Sequence, residues 1–596
     1  MHISRVKIQN FANFQSLDIR TGEDMVIVGE NKVGKSNFLR AIQLILDPSL
    51  SERDRRLGLE HFWDGLGEQK LGETVEVSID LTEPTDDSRL LRYLADCVID
   101  PGPPFVGRLT YRYQPKPDLG RAPVSMADYE FIIFGGEDPN NLYGSDLRRM
   151  IPMDVQGALR DAEKDLASWR SSPLRPLIES LIASLGQETR QEIQDLIDAA
   201  QAAVIERREI EATADLINIR LIQMVGAQHA VPLSLGLAPT RLDALLRGLR
   251  LLIDAGARSV SEASLGSANL IFLALKALEL DRLVTDGERD HSFFAVEEPE
   301  AHLHPHVQRL VYRHFFASQT EQERESSARR QTTILTTHSP HIASVAPLES
   351  IVILRRDKRI GATTGVAAAQ APLTSEDVAD LQRYIDVTRG ELLFSRGVIL
   401  VEGDAERFLV PAFADVLKIP LDALGISVCS VAGTNFKPFV KLLAPDGLNI
   451  PFVILTDRDI IGDADYGLSR VKGLLKILQP GLLTAEMKPA EILHAGRRSG
   501  IFLNSSTLEV ELFKHNLSAE MQTVLLNQLS LSGASQAELK TWVDDTDKLD
   551  STKLLKWIDR VGKGRFSQKL VEQVTLPEEC PDYIRFALEN IRNALG

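Results

Sequence analysis

Met25-Val26-Ile27-Val28 runs directly into Gly29-Glu30-Asn31-Lys32-Val33-Gly34-Lys35-Ser36. An apolar run, a loop framed by two glycines and an amphipathic stretch from Lys35 to about Leu46 predict a strand, a phosphate loop and a helix. Glycine lets successive backbone N–H groups turn toward phosphate oxygens, and the helix N-terminus adds its dipole. Lys35 would reach the β- and γ-phosphates and the Ser36 hydroxyl a Mg²⁺ ion, so Gly29, Asn31, Gly34, Lys35 and Ser36 are candidate ATP ligands.

Working outward, strand-like segments at Ile3 to Ile8 and Leu17 to Ile19 precede this loop. After it, Leu174 to Leu185, Glu188 to Val204 and Ile210 to Met224 carry apolar residues at helical spacing between dense charges. This stretch reads as a helical arm, either a solvated hairpin or a dimerisation element. Ser264-Leu265-Gly266-Ser267-Ala268-Asn269 then opens the apolar helix Leu270 to Leu280. Alone, Ser-x-Gly there is an ordinary helix cap. Phe293-Phe294-Ala295-Val296-Glu297-Glu298 is an apolar strand ending in paired acids, the form of a Walker B element. Glu297 would hold Mg²⁺ and Glu298 would polarise the attacking water. Thr333-Ile334-Leu335-Thr336-Thr337-His338 is a further strand with a polar tip. Together these motifs resemble the ABC-type ATPase heads of the SMC and RecF group over residues 1 to 360. That resemblance implies that Ser264, Gly266 and His338 contact nucleotide, the first two on the opposite protomer's γ-phosphate. Many such heads carry Asp where Glu297 stands. His302, His304 and His306 read as turn and interface residues, Pro305 interrupting any metal pattern.

A second group of acids begins at Gly397-Val398-Ile399-Leu400-Val401, which reads as a buried parallel strand ending in Glu402-Gly403. A helix Ala405 to Val416 carries Glu406 on its first turn. Strands Ile426 to Val431 and Pro451 to Leu455 follow, the latter ending in Asp457-Arg458-Asp459. Acids at the ends of neighbouring parallel strands converge on one sheet edge, where a divalent cation can be held. Ser506-Thr507-Leu508-Glu509-Val510-Glu511-Leu512 is expected to be extended, with Glu509 and Glu511 on one face. Such a set could hold two metals around a scissile phosphate. Lys563, between Gly562 and Gly564, is a candidate for neutralising charge on that phosphate, with Lys569 as the competing lysine.

Glutamate after one strand and DxD after another resembles the Toprim domain of topoisomerases, primases and related nucleases. An ABC-type ATPase followed by Toprim is the layout of the OLD (overcoming lysogenization defect) family, and the resemblance spans essentially the whole chain. It implies that Glu402, Glu406, Asp457, Asp459, Glu509 and Glu511 are metal ligands, with Glu402, Asp457, Lys563 and Glu298 catalytic. It also implies ATP and Mg²⁺ or Mn²⁺, Ca²⁺ being an alternative second metal, and a homodimer or higher even oligomer acting on DNA in phage defence or DNA processing. The family includes the nuclease of the Gabija antiphage system, which partners a UvrD-like helicase. The competing reading is an ATP-gated RecF- or SMC-like DNA clamp without nuclease activity. A topoisomerase would need a placed tyrosine nucleophile, and none is evident.

The expected fold is α/β: an ABC-type ATPase with a helical dimerisation insertion, then a Toprim domain with a helical C-terminal region. The expected divisions are 1–165 and 231–370 for the ATPase, 166–230 for the arm, 371–395 for a linker rich in Ala, Pro, Thr and Ser at its start with a helix Asp380 to Leu393, 396–515 for Toprim and 516–596 for the helices completing it. At 596 residues more than one core is required. The 44 % hydrophobic and 25 % charged fractions are those of a water-soluble globular chain. No apolar run spans a bilayer; the richest, Leu270 to Leu280, is broken by Lys276. His2, Arg5 and Lys7 in the opening strand predict no secretory leader. Cys97, Cys429 and Cys580 lie far apart, which excludes a disulfide framework or CxxC zinc site. A cytoplasmic protein with no membrane partner is expected. A net charge of −17 argues against a generic basic coat for DNA, while leaving room for a local basic groove.

Overall fold

Alternation governs the first strands. In His2–Phe11 the residues Ile3, Val6 and Ile8 are buried while Arg5 and Lys7 face outward. A register shift between Ile3 and Arg5 lets residues three apart share the core face. In this computed structural model, which describes residues 1–83, 94–102, 104–157, 162–169, 172–238, 240–317, 331–357, 359–385, 387–461, 464–484 and 486–596, His2–Phe11 lies between Phe14–Arg20 and Val75–Glu83. Phe105–Pro115, Tyr129–Gly135 and Val98–Asp100 extend the same antiparallel sheet.

The second sheet runs in the order Thr363–Ala367, Ile351–Arg356, Met25–Gly29, Gln331–Thr337, Ser292–Glu297, Met153–Gln156. All neighbours are parallel except the first pair. Its register sets Val28 beside Thr337 and Thr336 beside Glu297, so the phosphate loop, the paired acids and His338 leave one carboxyl edge. Helix Lys35–Leu46 touches strands of both sheets and buries Phe38, Leu39, Ile42 and Ile45 in the core they share.

A third sheet, Ile426–Ser430, Gly397–Val401, Phe452–Thr456, Ile501–Leu503, is wholly parallel. All five residues of Gly397–Val401 are buried, the mark of a central strand covered on both faces. Asp582–Leu595 packs Ile584, Ala587, Leu588 and Ile591 into the same core as Leu409 and Phe413. Each of the Leu, Ile and Phe side chains is worth about 1.5–3 kcal/mol of burial.

The chain divides into two compact units: Met1–Ala158, Asp290–Glu300 and Pro305–Gly596 form one, and Leu159–Arg289 with Ala301–His304 the other. The second unit holds helices Leu174–Ser184, Gln187–Ile205 and Arg208–Val225, in which Ile178 alone is buried among the described residues. Their apolar residues are left in water, Leu196 at 71 % exposure and Met224 at 75 %.

Two local expectations are corrected. The helix expected over Asp380 to Leu393 is Ser375–Tyr384. A capping box of Thr374 and Asp377 starts it early, and Val387–Gly390 is a separate short helix. Leu508–Lys514 is helical, not extended. Helical geometry turns Glu509 and Glu511 about 200° apart. The apolar alternation at 508, 510 and 512 misled because Phe513 is buried too, as a helix allows and a strand with one buried face does not.

Candidate functional site: a phosphate loop and a carboxylate edge

Two glycines shape the phosphate loop. Gly34 has φ 104°, and a Cβ there would stand 2.1 Å from Asn13 Nδ2. A Cβ on Gly29 would meet the Leu354 carbonyl at 2.6 Å. The Asn13 amide donates to the Val33 carbonyl and to Thr363 Oγ1, both at 2.5 Å, and accepts from Asn37 at 2.7 Å. Asn13, from the hairpin turn before the loop, thus braces it, a role that no local motif announces. Asn31 and Ser36 are exposed.

Lys35 is buried, and its ammonium donates to the Gly29 and Glu30 carbonyls at 3.1 and 3.3 Å and to His338 Nε2 at 2.7 Å. Burial pulls its pKa down, against the opposing pull of Glu298, Glu300 and Glu297. His338 Nε2 also lies 3.3 Å from Glu298 Oε1. Glu298 has φ 42° and donates its backbone N–H to the Thr336 carbonyl at 2.9 Å. Glu300 accepts from the Thr337 hydroxyl at 2.9 Å and the His338 N–H at 2.7 Å, so it orients the histidine tip. Lys35, Glu297, Glu298 and His338 therefore share one edge.

In the other unit, exposed Ser264 caps helix Leu265–Thr285, accepting from Ser267 N at 3.2 Å. A Cβ on Gly266 would stand 2.5 Å from the His302 carbonyl, so close backbone approach requires glycine there. Among the described residues no His, Cys, Asp or Glu cluster is arranged to hold a metal. His302 lies in a turn and His304 just before helix Pro305–Ala317, whereas His306 is inside that helix rather than in a turn.

At the third sheet's carboxyl edge, Glu402 Oε1 accepts from the Thr456 hydroxyl at 2.5 Å, Asp457 N at 2.9 Å and Arg470 Nη1 at 2.8 Å. Arg470 Nη2 donates to Asp459 Oδ2 at 2.9 Å, and Nη1 also reaches the Asp457 carbonyl at 3.0 Å. The Asn504 amide donates to Asp457 Oδ1 at 2.5 Å. Glu406 accepts from the Gly403 N–H at 3.2 Å and is buried. Glu509, also buried, pairs with Lys563 Nζ at 3.1 Å, and its Oε2 is enclosed without a partner among the described residues. Burial works against the Lys563 charge, but Glu509 outweighs it and holds the ammonium above its ordinary value. Glu511 is turned to Ser505, accepting from its N–H at 3.3 Å and from its hydroxyl. Lys569 pairs with Glu572 at 2.6 Å on the surface.

Like charges crowd here. Burial and then the neighbouring Glu402 and Glu509 push Glu406 up to about 7. Burial, then Glu402, Glu406 and Glu509, raise Asp457 well above the carboxylate range. As they stand, no three of these side chains are arranged around a single ion, since Arg470 lies between Glu402 and Asp459. The donor set nevertheless suits divalent cations: hard oxygens, mutual repulsion and an orphaned Glu509 oxygen.

Between pH 4.5 and about 7 folded Glu406 holds a proton that the unfolded chain has released, so stability falls as pH rises through that window. The expected loss is up to ~3 kcal/mol. Thermal melts in EDTA should show a lower Tm at pH 8 than at pH 6, and Mg²⁺ should close most of that gap. Equal melting at both pH values in EDTA would refute the crowding.

Fold and edge define a class: an ABC-type nucleotide-binding head continued into a Toprim-type acidic sheet. Comparison with known proteins is consistent with this. Residues 25–344 match the family described as "AAA domain, putative AbiEii toxin, Type IV TA system", and residues 393–459 match "Overcoming lysogenization defect protein-like, TOPRIM domain". The chain is similar to the OLD nuclease of Thermus scotoductus, 23 % identical across 77 % of this chain and 82 % of that one. It is 21 % identical to endonuclease GajA of Bacillus cereus strain VD045, across 77 % of this chain and 75 % of that one. The solved C-terminal region of the Burkholderia pseudomallei OLD protein is 48 % identical, covering 34 % of this chain and 100 % of that one, with TM-score 0.33. This chain belongs to the OLD family of nucleases. Domains of these two kinds use a nucleotide and a divalent metal. Among the described residues no helix is long and apolar enough to cross a membrane.

Proposed function

We propose that this protein is an ATP-binding, divalent-metal-dependent DNA endonuclease that nicks or cleaves phosphodiester bonds by a two-metal mechanism, in phage defence or DNA processing in the cytoplasm. The observation that carries this reading is the gathering of Glu402, Glu406, Asp457 and Glu509 at one sheet edge, with Lys563 against the last of them. Mg²⁺ or Mn²⁺, with Ca²⁺ as an alternative second ion, would activate water and stabilise the leaving oxygen. Glu402 and Asp457 are the central ligands in this proposal, flanked by Glu406, Asp459, Glu509 and Glu511. Asn504 and Thr456 orient them. Lys563 offsets negative charge on the phosphate. At the other site Gly29, Asn31, Gly34, Lys35 and Ser36 cradle ATP, Glu297 and Ser36 face its magnesium, and Glu298 with His338 act at the γ-phosphate.

Supercoiled plasmid incubated with Mg²⁺, Mn²⁺, Ca²⁺ or EDTA, each with and without ATP, tests the reading. Nicked or linear product in a divalent metal and none in EDTA is expected. One observation favours the alternative, an ATP-gated clamp without nuclease activity: Arg470 neutralises Glu402 and Asp459. Intact plasmid in every metal, with DNA retained, would establish that alternative.

The apolar residues exposed on helices 187–225 support a homodimer or higher even oligomer. Ser264 and Gly266 would then cap the γ-phosphate of the opposite protomer. A dimer without nucleotide is expected by sedimentation, and deletion of 187–225 should weaken it by about tenfold or more in Kd, as loss of a buried apolar patch does. An unchanged dimer would remove the arm from assembly. A UvrD-like helicase partner is part of the same proposal, tested by co-purification from a host carrying both genes.

A further inference from the structure

A cleft of about 580 Å³ adjoins the carboxylate edge, with Asp459 and Arg470 in its wall. The cleft therefore lies next to the position a phosphodiester at the acids would take. Arg458, Arg470 and Lys514 line it beside Asp459; Arg470 is already engaged by Glu402 and Asp459, which leaves Arg458 and Lys514 as the cations for a strand. Lys514 is exposed, and Arg458 is held by Asp465 at 2.9 Å, which leaves the other guanidinium donors available. Thr507, also in the wall, has a buried hydroxyl without a partner among the described residues.

Tyr466 also lines the cleft. It begins helix Tyr466–Leu478, and its backbone N–H donates to the Asp459 carbonyl at 2.9 Å, so the residue is anchored to the acid loop. Yet it is 53 % exposed. An aromatic side chain that contributes little to the core lines the same cleft as Asp459, Arg458 and Lys514. Bases within a duplex are stacked on one another and show only their edges; a base must be unpaired or extruded to offer its face.

We propose that this cleft binds the scissile strand in unpaired form, one nucleobase stacking on Tyr466 and the flanking phosphates lying on Lys514 and Arg458. The inference rests on the nuclease reading above and names its substrate class: single-stranded, frayed or locally opened DNA in preference to closed duplex. The Tyr466 hydroxyl has no part in it, because stacking needs only the ring.

The test measures binding of fluorescent unpaired and fully paired 20-mers by anisotropy. The full chain carries Asp457→Asn in Mg²⁺ so that the strand survives. Unpaired DNA is expected to bind at least about tenfold more tightly. Tyr466→Ala should cut that affinity by about 5- to 100-fold, the usual effect of one lost stack, and Tyr466→Phe should keep it. Lys514→Gln should weaken both substrates and lower the salt slope for the unpaired strand by about 0.7. Equal affinity for the two substrates, an inert Tyr466→Ala, or a Phe variant as weak as Ala would each overturn the proposal. Plasmid cleavage by the wild type separates the two levels. A wild type that cuts while Tyr466→Ala binds and cuts unchanged defeats the stacking inference alone, whereas a wild type inert in every metal defeats the reading beneath it.

Discussion

Asp457→Asn is expected to lower plasmid cleavage by about three orders of magnitude or more, and at the same time to raise the Tm of the protein in EDTA. The first effect follows from the position of Asp457 at the end of strand Phe452–Thr456, beside Glu402. Removing a central ligand should exceed the 10- to 100-fold cost, in round figures, of removing a supporting residue. Asn504→Ala, which only orients Asp457 through its amide, should therefore fall in that smaller range. The second effect follows from crowding. Burial and three neighbouring carboxylates oppose the Asp457 charge, so a neutral amide of the same shape relieves repulsion in the folded state. Glu402→Ala should match the loss of cleavage. Its Tm should not rise in the same way, because it also abandons the Thr456 hydroxyl, the Asp457 N–H and the Arg470 guanidinium. Undiminished cleavage in either variant would remove the carboxylate edge from the chemistry. A lower Tm for Asp457→Asn would show that the acids are not in conflict.

The second large effect separates binding from turnover at the phosphate loop. Lys35→Ala should weaken ATP binding by about 10- to 100-fold, the cost of charge-assisted hydrogen bonds of about 1.5–3 kcal/mol. The buried ammonium lies among the Gly29 and Glu30 carbonyls and His338, ready to serve an anion. Glu298→Gln should bind ATP normally and hydrolyse it about 10²- to 10⁴-fold more slowly, as loss of a positioned base does. The strained φ of 42° at Glu298 is a reason to test Gln, which keeps the backbone demand unchanged. Equilibrium ATP binding and single-turnover hydrolysis distinguish the two. Metal-dependent cleavage without ATP should survive Lys35→Ala, since the loop's hydrogen bonds go to Asn13, Thr363 and His338 and those of the carboxylate edge to Thr456, Arg470 and Asn504. A folded Lys35→Ala protein that no longer cuts without ATP would show that the two engines are coupled.

What local sequence could determine by itself was the set of strand ends. Period-two and continuous apolar runs mark strands, and residues just past a run must leave the sheet at its edge. That placed Gly29 to Ser36, Glu297, Glu298, His338, Glu402, Asp457 and Asp459 correctly relative to their elements, and it gave the order of motifs from which the family was read. It also supplied Lys563 as a candidate. Only the tertiary structure decided that Lys563, and not Lys569, meets an acid of the carboxylate edge, since Glu509 reaches it through the packing of separate helices while Lys569 pairs with Glu572. The same is true of Arg470 on Glu402 and Asp459, of Asn504 on Asp457, and of Asn13 bracing a loop against Thr363. These contacts join residues distant in the chain, and no periodicity or spacing carries information about them. Glu509 and Glu511 show where local pattern itself divides. The run Leu508 to Phe513 satisfies a strand and a helix about equally in so short a window, and the choice falls to burial. The core that takes in Leu508, Leu512 and Phe513 together can be filled only by a helix, and that turn sends Glu509 to Lys563 and Glu511 to Ser505.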